Sequence, residues 1–168
     1  MDLVGRGLEP DEARRVVEEH YAAVLAYCRR HTPSTADAED AAQETFLRFV
    51  RCRPTYRDRG RPRAFLLTIA RNVCVDQARL RQREPAELTC EPTAAEAPDP
   101  DLALALEALG PEAREVIELR YGQGLRVGEV AQVLGLSRFA ATRRINRALE
   151  ALRHELGTVE EGERGRNP

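Results

Sequence analysis

The sequence predicts an all-α protein of two small helical domains joined by a flexible linker. Apolar residues recur at helical spacing through the chain, and a stretch rich in proline, alanine and acids interrupts that pattern once. A chain of 168 residues suffices for two small domains. The predicted segments are a disordered N-terminus at 1–10, a first domain at 11–84, a linker at 85–104, a second domain at 105–156 and a disordered tail at 157–168.

The formal net charge of −2 hides an uneven distribution of charge along the chain. Eleven arginines and two acids lie at 48–83, seven acids and no base at 84–107, and five arginines and one acid at 138–153. Two basic segments separated by an acidic connector indicate two docking surfaces for anionic partners. There is no lysine, and arginine suits bidentate contacts to phosphates and bases, although a GC-rich genome gives the same bias.

The first domain opens with two predicted amphipathic helices. The first runs from Asp11 to about Thr32, and the second, capped by Ser34 or Thr35, covers about 36–52. Their apolar faces hold Val17, Tyr21, Val24, Leu25 and Cys28 in the first helix, and Ala38, Ala42, Phe46, Phe49 and Val50 in the second. Another side of the second helix holds Asp40, Gln43, Glu44 and Leu47, a pattern that a merely solvated face also explains.

A basic loop at 54–62 precedes a long predicted helix at about 64–83. Its inner stripe is predicted as Phe65, Ile69, Val73, Asp76 and Leu80, where Asp76 requires an arginine partner. A second stripe, flanked by Arg71, contains Thr68, Asn72, Val75, Arg79 and Arg83. This polar, positive stripe beside a loop containing Tyr56 suits phosphates and unstacked bases, but a solvated face would show the same pattern.

The second domain carries a predicted helix-turn-helix. After a helix at 111–121 that buries Ala113, Val116, Ile117 and Tyr121, a short helix at 127–134 ends at Gly135, and Ser137 caps the next helix. In that helix Ala141, Ile145, Ala148 and Leu149 share one stripe, and Phe139, Thr142, Arg143, Asn146 and Arg147 lie on the opposite arc. Arginines and an amide are the groups that a major-groove reader needs, and the alternative is a helical hairpin with a solvated basic face.

Composition and spacing argue against several other classes of protein. The four cysteines, Cys28, Cys52, Cys74 and Cys90, are widely spaced without a CxxC pair, so neither a metal site nor a disulfide framework nor a cofactor is predicted. No apolar run approaches 18 residues, which predicts a cytoplasmic protein without membrane insertion. The three histidines are scattered and the acids crowd a helical first turn, so catalytic residues, as in a nuclease, are not expected.

Three runs of the sequence carry a family resemblance. AEDAAQETFLRFVR (38–51) with AFLLTIARNVCVDQARLRQR (64–83) resembles region 2 of bacterial extracytoplasmic-function (ECF) RNA polymerase sigma factors of the sigma-70 family. The run from 109 to 153 resembles their region 4. The chain departs from the family in having Phe65 where Trp is usual, and in the start of the last helix. There only Ser137 and Arg144 match the usual Ser-Pro-Gly-Thr-Val-Lys-Ser-Arg, which leaves the target sequence open.

The resemblance implies a subunit that binds the RNA polymerase core, through clamp helices of the largest subunit and the flap, together with promoter DNA and an anti-sigma factor. It implies polymerase binding by Asp40, Gln43, Glu44 and Leu47. It implies capture of minus-ten single-stranded DNA by Tyr56, Arg57, Arg59, Arg61, Arg63, Arg71, Asn72, Arg79 and Arg83. It implies reading of the minus-thirty-five duplex by Ser137, Arg138, Phe139, Thr142, Arg143, Arg144, Asn146 and Arg147. The alternative is a sigma-like helix-turn-helix regulator that binds DNA without productive polymerase docking.

Overall fold

Regular secondary structure in the described part of the chain is helical throughout, as predicted. The computed structural model describes residues 7–56, 60–82 and 99–164, with side chains as far as residue 157. Seven α-helices lie within these ranges, and internal contacts divide the chain into two units between residues 95 and 96. None of the described helices combines the length and apolarity needed to cross a membrane.

The N-terminal unit is a bundle of three helices, each packed against the other two. Helix α1 is Pro10–His31, α2 is Thr35–Cys52 and α3 is Pro62–Arg81. The core is built from aliphatic, aromatic and small residues of all three helices, including Val24, Tyr27, Cys28, Ala38, Ala42, Phe46, Phe49, Leu66, Leu67, Ala70 and Val73. Cys74 is also buried, whereas Cys52 is exposed, and Cys90 lies outside the described residues.

Helix α2 begins at the predicted cap. The Ser34 hydroxyl oxygen accepts the Asp37 backbone N–H at 3.1 Å, which satisfies one of the donors left free at a helix N-terminus. The Asp37 carboxylate in turn lies 3.5 Å from the guanidinium of Arg81 at the end of α3. The start of α2 and the end of α3 are therefore joined by an ion pair as well as by their apolar faces.

The predicted inner stripe of α3 is confirmed at Val73, which is buried, and wrong at its C-terminal end. Leu66, Leu67 and Ala70 are fully buried, whereas Asp76 and Leu80 of the predicted stripe are exposed. Because α3 packs against both α1 and α2, its buried side is broad and centres on the adjacent leucines. Because Asp76 lies at the surface, its carboxylate is not desolvated, and Arg48 Nη1 lies 3.6 Å from it.

The C-terminal unit is built around one long helix. Helix α4 is Pro100–Ala108, α5 is Pro111–Ile117, α6 is Val127–Leu134 and α7 is Arg138–Arg164. Helix α7 packs against each of the other three. Its inner side, including Ala141, Ile145 and Ala148, is buried as predicted.

A π-helical turn at Glu118–Gly122 follows α5 and changes which residues are buried. The Gln123 N–H donates to the Glu118 carbonyl at 2.7 Å, five residues back, which widens the helix and shifts its phase. As a result Leu119 is fully buried, and Tyr121, which the sequence places in the core, is exposed. A periodicity of 3.6 residues could not anticipate this inserted residue.

Arg114 joins α4 to α5 through backbone carbonyls at the end of α4. Its Nε donates to the Leu106 carbonyl at 2.9 Å, and its Nη2 donates to the carbonyls of Glu107 and Leu109 at 2.7 and 3.1 Å. The last carbonyls of a helix have no partners within the helix, so one guanidinium caps this end.

Helix α7 extends past the domain end predicted at residue 156. Residues 157–164, predicted as part of a disordered tail, are helical in the structure. Gly157 costs a helix interior about 1 kcal/mol relative to alanine, which is too little to end a helix without a proline or a C-terminal cap.

The N-terminal unit is expected to lose stability as the pH falls below about 6.5, because of His20. Burial, with a smaller contribution from the positive charge of Arg63, lowers the pKa of His20 below its usual 6.5, while Glu19 opposes the shift. The unfolded chain then takes up a proton at a pH where the folded protein does not, so protonation favours unfolding.

Urea denaturation between pH 7.5 and 5.5 measures this effect. We expect His20→Gln to flatten the pH dependence of the unfolding free energy of the N-terminal unit, and His154→Gln, in the C-terminal unit, serves as the control. An equal slope in the wild type and His20→Gln would contradict the prediction.

Candidate docking and nucleic-acid interfaces

Four residues of α2, Asp40, Gln43, Glu44 and Leu47, form what we call the docking face. Because they recur at intervals of three and four residues, they lie on one side of the helix. Asp40, Gln43 and Leu47 are exposed and Glu44 is half-buried. The structure therefore brings all four predicted residues together on one accessible surface.

Glu44 is the member of the docking face with a strong partner of its own. Its Oε1 accepts a hydrogen bond from Arg48 Nε at 2.7 Å, and this bond is the main reason that the pKa of the Arg48 guanidinium is raised. Arg48 also reaches Asp76 on α3 at 3.6 Å. This chain of charges links α2 to α3, so Glu44 serves the bundle as well as the docking face.

An apolar strip that sequence reasoning missed borders the docking face. Val50, predicted in the core, is 45% exposed, and Leu47 one turn earlier is 46% exposed. On α1, Tyr21 stacks on Phe46 at a centroid distance of 5.6 Å and is itself 48% exposed. The spacing of Leu47 and Val50 is a signal that could have placed Val50 on this surface, whereas the position of Tyr21 depends on packing between helices.

Tyr56 is in the core, and its predicted contact with single-stranded DNA was wrong. Its ring is only 8% exposed and packs against Phe65 and Phe49, with centroid distances of 4.6 and 5.8 Å. A ring that is buried in this way does not offer an open face on which a base could stack. The aromatic cluster instead anchors the loop that follows α2 onto the start of α3.

The remaining residues predicted for the single strand are not all on one surface. Arg57, Arg59 and Arg83 lie outside the described residues. Asn72 and Arg79 are exposed and seven residues apart on α3, so they share one side of it, with the half-buried Thr68. We call Thr68, Asn72 and Arg79 the α3 polar face.

The other described arginines of this set lie around the α3 polar face or away from it. Arg61 is exposed at the start of α3, and Arg71 is half-buried beside Asn72. Arg63 is nine residues from Asn72, which puts the two on opposite sides of the helix. Its charge acts on His20 of α1. Arg63 therefore does not lie on the predicted DNA-binding surface, and its inclusion in that set was wrong.

The helix-turn-helix has the predicted turn and cap. Gly135 adopts a left-handed conformation with φ 65°, and the Leu136 N–H donates to the Ala131 carbonyl at 2.8 Å. The Ser137 hydroxyl then accepts the Ala140 N–H at 3.1 Å. Because both contacts join residues that are close in the chain, the turn and the start of α7 follow from the local sequence.

The outward side of α7 presents five predicted DNA-binding residues, which we call the recognition face: Phe139, Thr142, Arg143, Asn146 and Arg147. All five are exposed and, together with Glu150, they line a shallow groove. Arg138 is also exposed, and Ser137 is engaged as the helix cap.

Arg144, also predicted to bind the duplex, has a partner within its own domain. It is half-buried, and its Nη2 lies 3.5 Å from the carboxylate of Glu112 on α5. Since α7 turns by 100° at each residue, Arg144 falls at the edge of the recognition face. The ion pair directs Arg144 toward α5. Arg144 is one of the two residues that match the usual family sequence at the start of this helix, and here it makes a contact within its own domain.

Comparison with known proteins matches both units to one family. The profile described as Sigma-70 region 2 matches residues 16–84, and the profile described as Sigma-70, region 4 matches residues 105–154. The protein named ECF RNA polymerase sigma factor SigL, from Mycobacterium tuberculosis, is 35% identical over 161 residues, which cover 87% of this chain and 91% of the relative.

Solved structures show the same fold. The sigma factor RpoE, in a co-crystal structure with the anti-sigma factor NepR from Bartonella quintana, has a TM-score of 0.71 at 24% identity, with 86% of this chain and 96% of that chain covered. CnrH, in complex with the cytosolic domain of CnrY, has a TM-score of 0.62 at 27% identity, with 92% and 90% covered.

The aromatic cluster predicts distinct effects of two substitutions at Tyr56. We expect Tyr56→Ala to lower the unfolding free energy of the N-terminal unit by about 3–5 kcal/mol, because it removes a buried ring. Tyr56→Phe keeps the ring, so we expect it to preserve most of the stability. Chemical denaturation followed by circular dichroism measures both. A Tyr56→Ala protein as stable as the wild type would show that the ring is not part of the core.

Proposed function

The chain belongs to the sigma-70 family, as an ECF RNA polymerase sigma factor, and from this premise we propose how its surfaces divide the work of transcription initiation. A sigma factor directs promoter-specific initiation as a subunit of RNA polymerase. The alternative of a regulator that binds DNA without polymerase is not favoured, because regions 2 and 4 both match.

We propose that the docking face binds the clamp helices of the polymerase's largest subunit. The observation that carries this proposal is the exposure of Asp40, Gln43 and Leu47 on one side of a helix whose other side is fixed in the bundle core. Helix-on-helix docking requires such a mixed polar and apolar stripe, and the apolar strip at Val50 and Tyr21 extends it. The C-terminal unit would contact the flap.

We propose that the α3 polar face captures the melted minus-ten element. The Asn72 side chain carries both a donor and an acceptor suited to a base edge, and Arg79 supplies charge for the phosphates on the same side of the helix. Arg61 and Arg71, together with Arg57, Arg59 and Arg83 outside the described residues, would add to this charge. Extruding a base costs a few kcal/mol, which binding to the separated strand would offset.

We propose that the recognition face lies in the major groove of the minus-thirty-five duplex. Arg143 and Arg147 suit guanine or phosphate, and Asn146 suits adenine. The groove is wide enough for one helix, and α7 exposes these side chains on the side opposite its buried alanines. Ser137 would act through the cap, and Arg138 would reach the flanking backbone.

An anti-sigma protein is the further partner we propose. The RpoE structure from Bartonella quintana contains such a partner, NepR. In this chain, the exposed apolar residues Tyr21, Leu47 and Val50 offer a surface that a regulator could cover in competition with polymerase. We propose that the protein acts in the cytoplasm, where polymerase and promoter DNA are found.

Run-off transcription tests the docking face. Purified bacterial core polymerase, the full chain and a fragment library of the source genome should yield promoter-dependent transcripts. We expect Asp40→Ala to weaken core binding about tenfold, as loss of one central interface contact does, and to reduce all transcripts. Glu39→Ala removes a neighbouring exposed acid about 100° around the helix and serves as the control.

The outcomes of this assay separate the alternatives. Equal activity of Asp40→Ala and Glu39→Ala would place polymerase docking elsewhere on the chain. Specific duplex binding by the wild type without any transcript would support the regulator instead.

Asn72→Ala tests the minus-ten assignment. We expect normal core binding but at least tenfold less transcript from duplex promoters, because a base contact made after melting is lost. In a template with a mismatched minus-ten bubble the strands are already separated, so the free-energy cost of unpairing is absent. The loss of transcript caused by Asn72→Ala should therefore be smaller on this template. Gln132→Ala, an exposed amide on α6, is the matched control. A defect of equal size on both templates would argue against a role in melting.

A further inference from the structure

Phe139 is the most exposed of the large hydrophobic side chains in the described chain, at 78%. It occupies the second position of α7, just after the Ser137 cap, where the helix backbone holds it in a defined direction. An exposed-arc position in the sequence does not by itself decide whether such a ring projects outward or folds back onto the domain. The exposure shows that it does not, and that it projects from the recognition face.

Thr142 adds a second apolar group beside this ring. It follows Phe139 by three residues, so the two side chains are neighbours on the helix surface. Its hydroxyl donates to the Arg138 carbonyl at 3.0 Å, which turns the oxygen toward the helix backbone and leaves the methyl group for the outer surface. Phe139 and Thr142 therefore make an apolar step within a face otherwise formed by Arg143, Asn146 and Arg147.

The chemistry of the major groove identifies what such a step contacts. Each base pair presents hydrogen-bond donors and acceptors there, and thymine alone adds an apolar group, its 5-methyl. A phenyl ring opposite a G·C pair would cover a cytosine amino group without accepting its hydrogen bond, which is unfavourable. Opposite thymine, the ring and the methyl group bury each other.

We propose that Phe139, backed by the Thr142 methyl group, reads the 5-methyl group of a thymine in the minus-thirty-five element. This makes Phe139 a specificity-determining residue for the promoters of this chain. The inference rests on the proposed role of α7 in the major groove. It specifies thymine as the base that the N-terminal end of α7 contacts.

The test removes one methyl group from the DNA. Holoenzyme assembled from core polymerase and the full chain is used to select minus-thirty-five sequences from a randomised duplex. Each selected thymine is then replaced in turn by deoxyuridine, which differs only in lacking the 5-methyl group. We expect one replacement to weaken binding about fourfold, the factor associated with burial of a single methyl group, and the others to have little effect.

Variants assign that effect to the ring. Phe139→Ala should bind the thymine and deoxyuridine duplexes equally, and selection with it should no longer favour thymine at that position. Phe139→Leu keeps an apolar side chain and should retain part of the discrimination. Arg143→Ala should weaken binding to both duplexes while keeping their ratio.

Two results would overturn the inference in distinguishable ways. If holoenzyme selects a minus-thirty-five element but no deoxyuridine replacement matters, or Phe139→Ala discriminates as the wild type does, Phe139 does not read thymine and the DNA-reading role of α7 stands. If no element is selected in this region, the proposed role of α7 fails, and the inference fails with it.

Discussion

Close packing of small residues along α7 sets the geometry of the C-terminal unit. Ala141 and Ala148 are almost completely buried, with Ile145 between them, and α4, α5 and α6 all contact this helix. Short side chains let helices approach closely, and the reach of the recognition face into a groove depends on how the rest of the domain holds α7. A larger residue at either alanine would push α7 away from its neighbours and so displace the recognition face on its other side.

Helix α2, like α7, has a buried side of small residues and an exposed side. Ala38, Ala41 and Ala42 are fully buried and allow close contact with neighbouring helices, while the docking face looks outward. Because α3 packs on α2 and carries the α3 polar face on its own outer side, polymerase docking and strand capture would share one rigid bundle. The ion pairs of Arg48 with Asp76 and of Arg81 with Asp37 join these helices at their surface.

Arginine has two different uses in this protein, and charge patterning does not separate them. Arg114 closes a helix end through three carbonyls, and Arg144 pairs with Glu112. Arg143 and Arg147, by contrast, are exposed on the recognition face. A run of arginines therefore marks a basic segment reliably, but it does not show which guanidinium is held by a partner on another helix, as Arg144 is by Glu112.

The sequence by itself determined the helix-turn-helix and most of the other helices, because these depend on neighbouring residues: Ser34, Gly135 and Ser137 act within a few positions. It did not predict α4, which begins at Pro100, inside the linker predicted at 85–104. It also determined the family and the two outward faces on α2 and α7. Only the tertiary structure decided that Tyr56 is a core residue, that α3 buries its leucines and not Asp76, and that a π-helical turn exposes Tyr121. Each of these depends on contacts between elements or on an inserted residue, and helical periodicity alone fits more than one rotation of a helix about its axis.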